Sequence, residues 1–125
     1  MQERNDRIAR WFSMWLAAEN QGIADLFATS CEYIESWGPR YVGVAAIAHW
    51  FAEWNARARV LRWDIQQCIH EGAQTVVLWH FAYAVQGEPA ASFDGVSVIH
   101  WDSDGKIAFL KEYACKLPHY DPYSA

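Results

Sequence analysis

Positive charge is scarce and scattered: 10 Lys and Arg stand against 15 Asp and Glu, giving a formal charge of -5 and a pI near 5.4. Neutralising phosphates takes clustered Lys and Arg, so neither nucleic acid nor an anionic membrane surface is expected as a partner. Long apolar runs are missing too. The polar opening from Gln2 to Arg7 leads into no signal-type segment, and nothing approaches the roughly 20 residues of a membrane span, so a cytoplasmic protein is expected. Cysteine is limited to Cys31, Cys68 and Cys115, an odd number without zinc-site spacing, which reads as reduced core residues. No two of the 5 His stand at i, i+4 on a helix, so neither a metal nor any other cofactor is expected. Ser13, Ser92 and Ser97 lack a nucleophile elbow, which gives nucleophilic catalysis little support.

What is abundant is aromatic surface. Eight Trp, six Tyr and six Phe in 125 residues exceed the needs of one small core, so some of them should line a cavity or a subunit interface. With no internal repeat or low-complexity stretch, residues 1–125 read as one domain.

Periodicity supplies the elements. Ile8, Trp11, Phe12, Trp15 and Leu16 fall at helical spacing, predicting an amphipathic helix over 5–19 with Asn5 or Asp6 as its cap. Ile23, Leu26 and Phe27 give a short second helix, and residues 31–36 a strand. Gly43 opens a third helix carrying Ile47, Trp50, Phe51 and Trp54. From Val60 the period becomes two, with Leu61, Trp63, Ile65 and Ile69 on one face. Strands over 75–85, 91–101 and 106–116 follow, the first apolar on both faces and therefore covered on both. Helices first and a four-strand antiparallel meander afterwards make an α+β fold: a curved antiparallel sheet wrapped around three N-terminal helices. An apolar outer face would be covered by a second copy in a homodimer, and the aromatic tail from Pro118 to Ala125 should dock.

The stretch Tyr33-Ile-Glu-Ser-Trp-Gly-Pro-Arg-Tyr-Val-Gly43 sets an acid, Glu35, between apolar segments just before a Gly-Pro turn. Glu112 shares a strand face with Leu110 and Ala114. The two carboxylates together in an aromatic cavity would repel and lose hydration, raising at least one pKa into the range of a general base or acid. The other reading of Glu112 is an ion pair with Arg40 or Arg62. Trp11, Trp15, Trp50, Trp54, Trp63 and Trp79, together with Phe81, are candidates for the walls of a site for a flat apolar ligand, or simply core. Asp94 before Gly95 suggests a β-bulge.

Leu26-Phe27, the Glu35-Ser-Trp-Gly turn, Gly43 before a helix, and Asp104-Gly-Lys-Ile107 before the last strand, in this order, resemble the nuclear transport factor 2-like superfamily, with the closest look to its SnoaL-like branch. The resemblance spans essentially the whole chain. It implies a cone-shaped α+β fold with a pocket between helices and sheet, in a superfamily that includes ketosteroid isomerases, polyketide cyclases, dehydratases and epoxide hydrolases. It places Glu35 where the isomerases carry their Asp base and Ser97 where isomerases and cyclases place a pocket Asp. It places Trp11 where the isomerases have the Tyr that donates to the oxyanion. Two of these three positions lack the expected group, so steroid isomerisation is not expected.

Two functional readings stand on this basis, and they leave open whether the protein is an enzyme. In the first, the pocket binds a small apolar or aromatic molecule, Glu35 acts as general base with Glu112 as its partner, and Ser97 and a Trp indole orient the substrate. In the second, a non-catalytic dimeric binding or assembly domain has its pocket filled by tryptophans.

Overall fold

In the structure, a computed structural model that describes residues 1–124, the helical stripe falls on α1 (Gln2–Ala17). Ile8, Trp11, Phe12 and Trp15 are buried along it. Leu16 is not part of the stripe: it is 45% exposed, and Met14 is buried in its stead. The helix starts at Gln2 and takes no side-chain cap, so neither Asn5 nor Asp6 caps it. Asn5 sits inside the helix and ties it to the sheet instead, with its Oδ1 2.8 Å from His70 Nε2. One turn of helix, α2 (Ile23–Leu26), ends where Phe27 opens the first strand, and α3 (Val44–Arg57) follows Gly43.

The strands are β1 (Phe27–Ile34), β2 (Arg40–Val42), β3 (Ala58–Glu71), β4 (Gln74–Val85), β5 (Ala91–Trp101) and β6 (Ile107–Lys116). They form one sheet in the order β2-β1-β6-β5-β4-β3. The meander from β3 to β6 is antiparallel throughout, as its turns predict. The one exception to an antiparallel sheet is β1, which lies parallel to β6 and carries the short β2 on its other edge. The fold class is thus α+β, with helices against a curved, unclosed and mostly antiparallel sheet.

Alternation holds along β4, where Thr75, Val77 and Trp79 are buried and Val76, Leu78 and His80 lie on the opposite face. It fails along β3. Register shifts between Val60 and Arg62 and again between Ile65 and Gln67 turn the strand over. Val60 and Trp63 are buried as a result, while Leu61 and Ile69 stand 47% and 48% exposed and share no face with Trp63. Gly95 is no bulge, since it pairs in register with Trp79 on one side and Ala114 on the other. Its role is close approach: a Cβ there would lie 2.5 Å from Trp79 Cη2, so the missing side chain is what lets that indole cross the strand.

The core joins α1 and α3 to the inner face of the sheet through edge-to-face rings, such as Trp11 against Phe27 at 4.8 Å, and a stack of Phe12 on Trp63 at 3.8 Å. Of the cysteines only Cys31 is in this core; Cys68 is half-buried and Cys115 exposed, all three free. The tail does not dock, as Tyr120 and Tyr123 are 83% and 93% exposed, and Ala125 lies outside the described residues. No helix among the described residues is long and apolar enough to cross a membrane.

Candidate functional site

Glu35 follows directly on β1, and its backbone closes the turn to β2. Its N–H donates to the Pro39 carbonyl at 2.9 Å and its carbonyl accepts from Gly38 N–H at 3.0 Å. Gly38 holds φ at +117°, a value side-chain-bearing residues avoid, so the turn needs glycine at that point. The carboxylate of Glu35 is half-buried and lines a cavity of about 510 Å3 between α1, α3 and the sheet. Loss of hydration pushes its pKa up to about 7, against hydrogen bonds from Tyr41, Trp37 and Trp50 and the attraction of Arg57, which pull it down. The Tyr41 hydroxyl is 3.3 Å from Glu35 Oε2.

Glu112 reaches the same cavity from β6, on the strand position paired with Ser97. Burial raises its pKa to about 8; the Tyr33 hydroxyl, which donates to it, pulls down, and the charge of Glu35 pushes up. Among the described residues no ion pair competes for it. Arg40 is bonded to Glu32, and Arg62 meets Asp64 at 2.7 Å.

Tyr33 is a residue beside the site that the sequence reading passed over. It is fully buried, accepts the Trp11 indole N–H at 3.4 Å and donates to Glu112, which makes it the link between the helix core and the acid. Burial and the neighbouring Glu112 hold its phenol well above the ordinary value, so it remains a donor at any working pH. The signal was alternation: Cys31, Tyr33 and Glu35 share a strand face, and a phenol beside an acid on an inward face needs a partner.

Trp15, Trp50, Trp54, Trp63, Trp79 and Phe81 all line the cavity. Trp11 and Ser97 do not. Ser97 lies one layer behind, 1% exposed, and accepts the Trp79 indole N–H at 2.9 Å, so it fixes a wall residue and has no surface to offer a substrate. Trp11 likewise is spent on Tyr33. The sequence reading also missed Tyr41, stacked on Trp50 at 4.5 Å, and Trp37, 77% exposed at the tip of the β1–β2 turn. Trp15 and Trp63 have buried indole N–H groups without an acceptor; both sit edge-on to rings, Trp63 against Trp79 at 90° and Trp15 against Phe51 at 62°. On the outer face, away from this cavity, His80 Nδ1 is 2.9 Å from Asp94.

Two acids that change protonation state near pH 7 to 8, in a hollow walled by rings, are equipped to take up or release a proton from a molecule held there. Among the described residues no group of three His, Cys, Asp or Glu is placed to hold a metal ion.

Solved structures share this architecture at low identity. An epoxide hydrolase of M. tuberculosis, described as LEH-like, superposes with a TM-score of 0.79 at 16% identity, over 91% of this chain and 84% of that one. A protein of ketosteroid isomerase-like fold from Catenulispora acidiphila, solved in complex with trimethylamine, gives 0.74 at 17% identity over 86% and 83%. An NTF2-like protein from Burkholderia xenovorans LB400 gives 0.76 at 17% identity over 91% and 90%. Among curated proteins there is no match. The family model of the SnoaL-like domain matches residues 8–110, most of the chain, and the chain belongs to that family.

Proposed function

We propose that the protein binds a small, mostly apolar or aromatic molecule in the cavity and moves a proton on it, with Glu35 as general base and Glu112 as its acidic partner. The step would be of isomerase, cyclase or dehydratase type. One observation carries this reading: Glu35 lines the cavity half-buried, and its pKa of about 7 lets it exchange a proton at neutral pH. Burial raises the pKa of Glu112 further, to about 8, so between the two values Glu35 is the ionised member that serves as base and Glu112 the protonated one that serves as acid. The cavity of about 510 Å3 argues against the reading in which tryptophans fill the pocket, because the indoles form its walls and leave its volume free.

The test uses a nitrobenzisoxazole, a flat aromatic probe whose C–H proton passes to a base while its N–O bond breaks, releasing a cyanophenolate. The protein should open the ring with saturation kinetics and at a rate per carboxylate well above that of acetate at the same pH. A rate no higher than that of acetate would remove the proposal.

A homodimer through the outer sheet face belongs to the same reading. Leu78, Val96 and Tyr113 are paired in one row across β4, β5 and β6 on that face, and Tyr113 is 50% exposed. A second copy would cover the row twice over. Sedimentation at micromolar concentration should give twice the 14.4 kDa chain mass, and a monomer would exclude this interface.

A further inference from the structure

The walls of the cavity are rich in ring faces, and the charged side chains along them are mostly acidic. Four charged side chains line it: Glu35, Glu53, Glu112 and Arg57. The single cation is already committed, with Arg57 Nε 3.0 Å from Glu53 Oε1. No Lys, Arg or His among the described residues pairs with Glu35 or Glu112. Both acids have neutral partners instead, Tyr41 for Glu35 and Tyr33 for Glu112. The indole N–H groups of Trp15 and Trp63 are shut away from the cavity space, and that of Trp79 is bonded to Ser97, so three of the wall's indoles present rings without donors. An anion would meet three acids against one paired arginine, whereas a positively charged group would find two carboxyls without an ion-pair partner and aromatic faces around them.

We propose that the molecule this cavity selects is an organic cation, a substituted ammonium whose alkyl groups lie against Trp50, Tyr41, Trp54 and Phe81 while its charge is balanced by Glu35 and Glu112. This rests on the reading of the cavity as a ligand site and adds to it the class of ligand. The recognition is that of an aromatic cage: alkyl groups on nitrogen spread the charge and lower its hydration, and the negative ring faces attract it without requiring directional hydrogen bonds. The stack of Tyr41 on Trp50, with planes 12° apart, sets such a wall on the side where Tyr41 also holds Glu35. Trp37, exposed at the mouth beside Glu35, is placed to be covered when the site fills.

Protons and the cation compete for the same carboxyls. The groups that face this pair are Tyr33 from β1, Tyr41 from β2, Glu53 and Arg57 from α3, and Tyr83 from β4. Burial keeps Tyr33 and Tyr41 protonated throughout, leaving Glu35 and Glu112 as the groups that set the pH dependence. Both have raised pKa values, so both are largely neutral below pH 6 and ionised above pH 9, and affinity for a cation must rise as pH rises between these limits. Binding in turn expels protons, which would put Glu35 in its ionised, proton-accepting form once the molecule has arrived.

The experiment compares choline with its neutral carbon isostere, 3,3-dimethylbutan-1-ol, by calorimetry and tryptophan fluorescence at pH 5.5 and pH 9. Choline should bind roughly tenfold or more tightly than the alcohol at pH 9, where both carboxyls are ionised, and the preference should shrink toward parity at pH 5.5. Glu35→Gln should lose most of the preference and still bind the alcohol. If the alcohol binds as well as choline at pH 9, the ligand is not a cation and the cavity remains a site for neutral molecules. If neither probe binds, the cation and the ligand site both fall.

Discussion

Glu35→Gln should lower the rate of benzisoxazole ring opening by about two to four orders of magnitude, the usual contribution of a positioned general base. Glutamine keeps the shape of the side chain and its carbonyl still accepts from Tyr41, so cavity and fold remain, but an amide takes no proton at any pH of interest. The wild-type pH profile follows from the same carboxyl. A base works in its ionised form and this one ionises around pH 7, while its acidic partner Glu112 loses its proton around pH 8, so the rate should rise through pH 6 to 7 and fall again above pH 8. An unperturbed carboxylate would give no rise above pH 6. The burial that places this transition near neutrality also makes the base stronger and keeps competing water away from it. A variant that retains the wild-type rate within about threefold would show that Glu35 is not the general base.

Glu112→Gln should stabilise the folded protein in alkaline solution and leave it nearly unchanged in acid. The folded carboxyl has its pKa raised to about 8 from an ordinary 4.5, so between these values the native state holds a proton that the unfolded chain has lost. Stability attached to a raised acid is therefore greatest below pH 4.5, declines as pH rises, and is lost in full above pH 8. Undiscounted, that interval corresponds to about 4–5 kcal/mol, but Glu112 lines the cavity and keeps the Tyr33 hydrogen bond. A net gain of about 1–3 kcal/mol for the variant at pH 9 is the realistic expectation. Urea midpoints of both proteins at pH 4 and pH 9 would measure it. Parallel pH dependence in wild type and variant would mean that Glu112 ionises as freely in the native state as in the unfolded one.

The helices and the β3–β6 meander were legible because their periods, 3.6 and 2, mark buried faces directly; Ile47, Trp50 and Phe51 are buried where spacing put them. Three things were not legible. β2 is three residues long, too short to display a period. The parallel pairing of β1 with β6 joins segments nearly eighty residues apart, and no local pattern encodes it. The β3 register shifts oppose two residues to one, so a strict alternation through Trp63 and Ile65 misplaces Leu61 at the first shift and Ile69 beyond the second. At the site, the turn at Gly38 and alternation along β6 were enough to bring Glu35 and Glu112 to the cavity. Alternation says which way a side chain points, without saying how many layers lie in front of it. The resemblance, which likewise gives a position without the layers in front of it, put Ser97 and Trp11 at the surface of the cavity, and both are found behind it, bonded to Trp79 and Tyr33. Tyr33 was named only as a residue of the stretch before Glu35, and nothing local shows that its partner is Glu112, 79 residues further along the chain.

Everything proposed about chemistry depends on the proton of one side chain, and carbon NMR of the Glu35 side-chain carboxyl, followed across pH 3 to 10, observes it directly. With the resonance assigned by its disappearance in Glu35→Gln, the carboxyl should titrate with a midpoint near 7, well above the ordinary 4.5. A midpoint close to 4.5 would contradict the account, for a carboxylate so easily ionised is hydrated like one on the surface.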